Sequence, residues 1–357
     1  MDVRALRPYA WAFALLVFIP VSAVLSLIRG AGVAVFATAG LAIIPLAWFM
    51  GLATEEVGKR SGPGIGGLLN ATFGNATELI IALFALARGL PDVVKASLTG
   101  SIIGNLLLVL GLSMLAGGLR FKTQNFSREA SGTHTTMLLL AVIGLVMPAL
   151  YKITAGARVQ ETILDEMSLG IAAVLLAAYL FGLLFSLRTH RDIFNPVTDM
   201  EENPRWSLRV ATLVLLVSTL FVALESELLV GSLEAARDAL GLTDLFLGVI
   251  IVAIVGNAAE HGTAVLMAYR NKMELSIAVS MTSTTQIALF VAPVLVFVSL
   301  LIPPVLTLDF EAFELVSVAL STAAIASVVS DGRSNWYEVV LLVMVYAIIA
   351  ITFLFHP

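Results

Sequence analysis

The chain has 357 residues, 59% of them hydrophobic and 13% charged, with no cysteine and a formal net charge of −5. A soluble domain carries roughly 25% charged residues, so a soluble fold is excluded; the missing cysteines exclude disulfides, thiol catalysis and Cys-ligated metals. The apolar residues come in blocks that can cross a hydrocarbon core ~30 Å thick with ~20 helical residues, which makes the fold class an all-α polytopic membrane protein.

In chain order the predicted elements are eleven transmembrane helices, near 9–29, 32–50, 63–88, 93–118, 131–151, 164–187, 208–228, 243–269, 273–302, 310–329 and 335–355. The first is of full span length and lacks a small-residue cleavage site, so it reads as a membrane helix rather than a cleaved signal. The second ends at Glu55 and Glu56, and Glu234 follows the seventh; Glu55 and Glu234 are candidates for an ion-attracting vestibule. Between the sixth and seventh spans, RTHRDIFNPVTDMEENPRW (188–206) is a polar connection containing Asp192, Asp199, Glu201 and Glu202. A cytoplasmic N-terminus places 14 of the 20 Lys and Arg residues on the cytoplasmic side and 6 on the other. The positive-inside rule then predicts the N-terminus in the cytoplasm and the C-terminus outside.

The third and eighth spans carry near copies of one motif. GNATELIIALFALAR (74–88) and GNAAEHGTAVLMAYR (256–270) share 6 of 15 residues and lie 182 residues apart. Five spans separate equivalent positions, and an odd number reverses direction through the membrane. The expected architecture is therefore two inverted-topology five-helix repeats plus an extra N-terminal helix: residues 1–31 as the extra helix, 32–188 as the first repeat, 189–206 as an acidic cytoplasmic linker, and 207–357 as the second repeat. Inverted repeats with polar, glycine-interrupted helices are a mark of secondary transporters. The spans after the motifs agree: Ser101 precedes Asn105 by four residues, and Thr282 precedes Gln286 by four.

An acidic side chain at the centre of a membrane helix costs about 2.5–3.5 kcal/mol on insertion scales. Glu78 lies 15 residues into its predicted span and Glu260 lies 17 into its own. No lysine or arginine lies mid-span to pair with them, which leaves protons and metal ions. Two carboxylates meeting across the repeat axis are neutralised equally by one divalent cation or by two protons, and desolvation and mutual repulsion bring protons into competition. The ligand set is all oxygen, which suits hard Ca²⁺ with its 6–8 flexible ligands, with other divalent cations compatible. Candidate ion ligands are Glu78, Glu260, Asn105, Gln286, Gly74, Asn75, Gly256 and Asn257. The asparagines share a helix face with their glutamates, and the glycines let the backbone open. Glu78 and Glu260 are also the candidates for proton coupling. His261, beside Glu260, is a weaker one: it has no counterpart in the first repeat, where Leu79 stands.

No HExxH, nucleophile elbow, P-loop or Rossmann glycine pattern occurs, so the chain reads as a transporter rather than an enzyme, with no resident cofactor and no nucleic-acid partner. The motifs GNATELIIALFAL (74–86), GSIIGNLLLVLG (100–111), GNAAEH (256–261), SMTSTTQIALFVAPVLV (280–296) and SDGRSNWYE (330–338) resemble those of the Ca²⁺/H⁺ antiporters, the cation/proton exchanger branch of the calcium/cation antiporter superfamily. The resemblance covers the second to eleventh spans. It implies Ca²⁺ bound at the membrane midplane by glutamates matching Glu78 and Glu260, with Asn105 and Gln286 lining the site, and alternating-access exchange of cytoplasmic Ca²⁺ for external protons. The short linker implies a prokaryotic protein of the cell membrane, and nothing in the sequence requires an oligomer. Sodium/calcium exchangers are the rival resemblance, and a divalent-cation channel is a further alternative. The neutral Asn105 and Gln286 stand against several Na⁺ ions, which need more fixed charge.

Overall fold

The computed structural model describes residues 10–61, 66, 69–70, 72–156, 160–190, 204–303 and 305–356. Most of the predicted linker, including Asp192, Asp199, Glu201 and Glu202, and most of the glycine-rich beginning of the third predicted span lie outside the described residues.

The described chain is helical almost throughout. Its helices are α1 (Ala10–Ser26), α2 (Gly32–Ser61), α3 (Ala76–Ala87), α4 (Pro91–Gly118), α5 (Arg128–Ala155), α6 (Glu161–Thr189), α7 (Leu208–Gly231), α8 (Leu233–Leu240), α9 (Asp244–Gly256), α10 (Ala258–Tyr269), α11 (Met273–Ser299), α12 (Ala312–Asp331) and α13 (Trp336–Phe355). Among the described residues, eight helices are long and apolar enough to cross a membrane, or nine if α8 and α9, which meet at 118°, form one bent span; α1 and α3 are apolar but shorter. The starts follow local chemistry. Pro91 opens α4, where its missing N–H costs nothing. The hydroxyls of Ser127 and Ser207 accept from the amides of Ala130 and Val210 at 3.1 and 3.3 Å and cap α5 and α7. Glu311 and Glu314 form a capping box at α12.

The predicted spans near 63–88 and 243–269 are not continuous helices. Each breaks at its own motif: α3 begins only after Gly74 and Asn75, and Asn257 separates α9 from α10. Glycine and asparagine are weak helix formers, and here the asparagine side chains find partners on other helices.

The centre of the bundle is the pair α4 and α11. In their most apolar stretches 83% and 72% of residues are buried, against 22% in α6 and α13. Lipid tails give helices no hydrophobic reason to associate, so central contacts rely on small and hydroxyl residues; these two helices carry SLTGS and SMTSTTQ. At Gly100 a side chain would overlap the backbone of Val249, so α4 and α9 cross with their backbones in contact. Helix α7 runs along α2, and α1 packs on α2 through Trp11–Trp48 and Phe13–Phe49 ring contacts at 5.6 and 5.2 Å. A buried hydroxyl–carboxylate contact at 2.8 Å, Ser22 to Glu225, ties α1 to α7. Helices α4, α9 and α11 contain π-helical turns at Gly104–Val109, Leu247–Val252 and Ile287–Val291, a local widening that re-aims side chains and is frequent at functional sites. A two-residue antiparallel ladder, β1 (Gln124–Asn125) with β2 (Arg333–Ser334), joins the α4–α5 and α12–α13 connections.

Candidate functional site

The helix breaks decide where the two glutamates sit. Asn75 has φ −114° and ψ 26°, and Asn257 has φ −92° and ψ 9°, outside the helical region. Each asparagine ends one helical stretch and precedes the next, so Glu78 and Glu260 occupy the first turns of α3 and α10 rather than mid-helix positions. The positive end of a helix dipole supports a carboxylate there, which a mid-helix position would not provide. The Asn257 Nδ2 donates to the carbonyl of Ala253 at 2.9 Å, one turn back in α9.

The asparagine side chains cross between the two halves of the chain. Asn75 Nδ2 donates to Gln286 Oε1 at 2.5 Å, and Asn75 Oδ1 accepts from the Ser283 hydroxyl at 2.8 Å. Asn257 Nδ2 donates to the Ser101 hydroxyl at 2.8 Å, and its Oδ1 accepts from Asn105 Nδ2 at 3.0 Å. Asn105 Nδ2 also lies 3.0 Å from Ser283 Oγ. The result is one buried polar chain, Gln286–Asn75–Ser283–Asn105–Asn257–Ser101, spanning the third, fourth, tenth and eleventh helices. Each motif asparagine bonds the amide and a serine of the other half's central helix.

Glu78 sits beside this chain. It is 8% exposed and lines a small cavity with Ile81, Ser97, Leu98, Ser101, Val252 and Gly256. A Cβ at Gly256 would lie 3.1 Å from Glu78 Cγ, so the glycine of one motif is the space taken by the glutamate of the other. At Gly74 a Cβ would lie 2.6 Å from the Asn70 carbonyl and 3.3 Å from Gln286 Oε1. Among the described residues, three buried oxygens in this region have no hydrogen-bond partner: both carboxylate oxygens of Glu78 and Oδ1 of Asn105. Leaving such acceptors unpaired costs about 1–3 kcal/mol each, and a cation or a proton removes that cost. Glu260 lies within electrostatic range of Glu78 and is partly exposed. The two copies of the motif thus differ in access. Among the described residues no three His, Asp or Glu side chains cluster as a metal site.

The structure therefore brings Asn75, Asn105, Asn257 and Gln286 into one network and sets Glu78 against Gly256. His261 is partly buried, next to Glu260 on α10. Glu55 and Glu234 stand apart: both are exposed, Glu55 bonded to Lys59 at 2.6 Å near the end of α2 and Glu234 on α8. Sequence spacing paired Ser101 with Thr282, but the hydroxyl that enters the network is Ser283. The π turn encloses Asn105 in α4 and begins after Gln286 in α11, so equal spacing along the sequence is not equal spacing in the bundle. Ser97, in the cavity wall, carried no sequence signal beyond its hydroxyl.

A family model described as sodium/calcium exchanger protein matches residues 31–188 and 210–355. A Ca(2+)/H(+) antiporter of Synechocystis sp. is 49% identical, covering 96% of each chain. Ca(2+)/H(+) antiporter ChaA of Bacillus subtilis is 44% identical over 94% of this chain and 96% of its own. The solved structure of native YfkE superposes with a TM-score of 0.85 at 39% identity, covering 97% of this chain and 100% of that one. These relatives are transporters, not enzymes. The chain is an integral membrane protein that belongs to the sodium/calcium exchanger protein family, where it stands among members named Ca(2+)/H(+) antiporters.

Proposed function

We propose that the protein exports cytoplasmic Ca²⁺ in exchange for external protons by alternating access, with Glu78 and Glu260 binding Ca²⁺ or protons competitively. The observation that carries this reading is the set of unpaired buried oxygens on Glu78 and Asn105 beside a second carboxylate. With both glutamates ionised, Ca²⁺ takes their oxygens and Asn105 Oδ1, and its two positive charges cancel theirs. With both protonated, the site is again neutral and each carboxyl has a hydrogen to donate. A buried site tolerates two neutral states far better than a charged empty one, and that preference couples the two fluxes. The names of the bacterial relatives support Ca²⁺ and protons as the exchanged ions.

The reciprocal asparagine bonds support the inverted-repeat reading, in which α3 and α4 correspond to α10 and α11 and α1 is the extra helix. The same reading has eleven spans, the short linker and N-terminus on the cytoplasmic side, and the C-terminus outside. Gln286, Asn75, Asn257, Gly74 and Gly256 then shape the site, His261 takes part in proton transfer, and Glu55 and Glu234 draw cations toward opposite mouths.

The test is Ca²⁺ uptake by everted membrane vesicles under an imposed pH gradient, acid inside, with the membrane potential clamped. Uptake against the Ca²⁺ gradient, abolished when the pH gradient is collapsed, is the expected result. Uptake that follows a Na⁺ gradient and ignores pH would overturn the proton assignment, and uptake that never exceeds equilibrium would identify a channel.

A further inference from the structure

Two connections far from the ion site hold the helices that build it. At one end of the bundle, the α4–α5 connection places Gln124 in a buried position, 2% exposed. Its Nε2 donates to the Ala268 carbonyl at 2.9 Å and to Asn271 Oδ1 at 3.1 Å. Ala268 is in the last turn of α10, two turns beyond Glu260. Asn271 makes the turn into α11 with φ 61° and is the one non-glycine residue with positive φ among the described residues. Gly117 leaves room for the Gln124 amide, which a side chain there would overlap. The Ser127 amide donates to Glu274 Oε2 at 2.8 Å, on the other side of the same turn. The β1–β2 ladder and a bond from the Phe126 amide to the Gly332 carbonyl at 3.1 Å anchor this connection to the α12–α13 turn.

At the opposite end, the α11–α12 connection does the reverse. Asp309 Oδ1 accepts from Lys95 Nζ at 2.7 Å, on the first turns of α4, and Oδ2 accepts from Lys152 Nζ at 2.7 Å, at the end of α5. The amides of Leu306 and Leu308 donate to Ser299 and Ser168 at 2.8 and 2.9 Å. Burial works against the Asp309 charge, but hydrogen bonds from Lys152, Lys95 and Thr307 outweigh it and hold its pKa down to about 2. In each case the connection that follows one central helix grips the hairpin containing the other.

We propose that Gln124 and Asp309 are positioning residues for ion binding: Gln124 fixes the end of α10 and so the place of Glu260, and Asp309 fixes the start of α4 and so the places of Ser101 and Asn105. Neither touches the ion. Each acts through a helix that is held at its far end by the other half of the chain. This assignment rests on the ion-exchange reading of the site. A helix end displaced by a few tenths of an ångström moves a carboxylate that must meet its partners to within ~0.5 Å, so the first quantity to change is affinity rather than turnover.

Two variants test the inference in the full chain. Gln124→Met keeps the length, adds no charge and removes the donors that hold Ala268 and Asn271. In vesicles energised by a pH gradient it lowers the apparent Ca²⁺ affinity about five- to a hundred-fold, the range set by two lost hydrogen bonds, while the maximal rate stays within two-fold. Asn271→Gly keeps the turn, removes one acceptor, and shifts affinity in the same direction. An unchanged affinity in both variants, or a loss confined to maximal rate and protein amount, overturns the positioning role. The second test uses the absence of native cysteine. Asn125→Cys with Arg333→Cys, paired across the ladder and both exposed, is oxidised to lock the clasp. Exchange persists if the clasp stays closed while ions are bound and released. Exchange lost on oxidation and restored by reductant shows that it opens, and overturns the proposal. Unaltered protein run in parallel separates the two claims: no pH-driven Ca²⁺ uptake there refutes the exchange reading itself.

Discussion

Replacing Gly256 by alanine probes how closely Glu78 is seated against the opposite motif. The added methyl would lie 3.1 Å from Glu78 Cγ and 3.6 Å from its Cδ. Non-bonded carbons settle at about 3.5–4.0 Å, so Glu78 has to retreat by about 0.4–0.9 Å. Its pocket is walled by Ile81, Leu98 and Val252, which leave little room for that retreat. Overpacking in a closed site costs about 1–3 kcal/mol. If that cost falls on the ion-bound state, in which Glu78 needs a fixed place, apparent Ca²⁺ affinity drops by about five- to a hundred-fold at ~1.4 kcal/mol per decade. The control is Gly104→Ala, the neighbour of Asn105, where an added methyl meets nothing within 4 Å. The assay is the Ca²⁺ dependence of pH-driven uptake in everted vesicles, with the amount of inserted protein measured alongside. Wild-type affinity in Gly256→Ala, or an equal loss in Gly104→Ala, would refute the reasoning.

Glu78→Gln and Glu260→Gln each remove one negative charge from the pair; both variants insert in the membrane and neither exchanges Ca²⁺ for protons, as vesicle uptake will report. Ser283→Ala leaves Asn75 Oδ1 without its donor and Asn105 Nδ2 without one acceptor, and destabilises the protein by about 1–3 kcal/mol; Thr282→Ala, outside the network, stays close to wild type in the same thermal-unfolding measurement. Asp309 supplies a pH test. Its pKa falls from 3.8 to about 2 on folding, so its ionic contribution is fully present above pH 4 and is lost as pH falls toward 2. Asp309→Asn therefore melts below wild type at pH 7, and the gap narrows between pH 4 and pH 2; a gap independent of pH over that window would contradict the assignment.

The two glutamates were legible in the sequence because an ionisable residue inside an apolar run is costly, and a second copy in the same local motif makes chance a poor account. The helix breaks were not. A glycine and an asparagine weaken a helix by roughly 1 kcal/mol each at most, too little to distinguish a weak point from an interruption, and the partners that stabilise the interruption, Gln286, Ser283, Ser101 and Asn105, lie far along the chain. The misplaced hydroxyl at 282 has a similar origin: counting by 3.6 residues assumes regular helix, and the π turns of α4 and α11 fall differently about their amides. Gln124 and Asp309 carried no local signal, since a glutamine or an aspartate in a connection is ordinary until its partners across the fold are known.

On the proposed reading, the amide network bears on why two carboxylates can serve where an ion with two charges must bind and leave. A side-chain N–H turned toward a cation would oppose binding. Here both donors of Asn105 are engaged by Asn257 Oδ1 and Ser283 Oγ, both donors of Asn257 by Ser101 Oγ and the Ala253 carbonyl, and one donor of Asn75 by Gln286 Oε1. Among the described residues, Asn105 Oδ1 is a buried oxygen of the network left without a hydrogen-bond partner. The network is neutral in every state, so on the proposed reading it adds ligand without adding charge, and the exchange balance is left to the ionisable groups beside it. An acidic residue at position 105 or 286 would break that balance. It would leave one negative charge uncompensated with Ca²⁺ bound, and a monovalent cation would be drawn in to cancel it. Asn105 donates two hydrogen bonds that a carboxylate could not, and on the proposed reading the lack of charge at 105 and 286 favours protons over Na⁺ as the counter-ion.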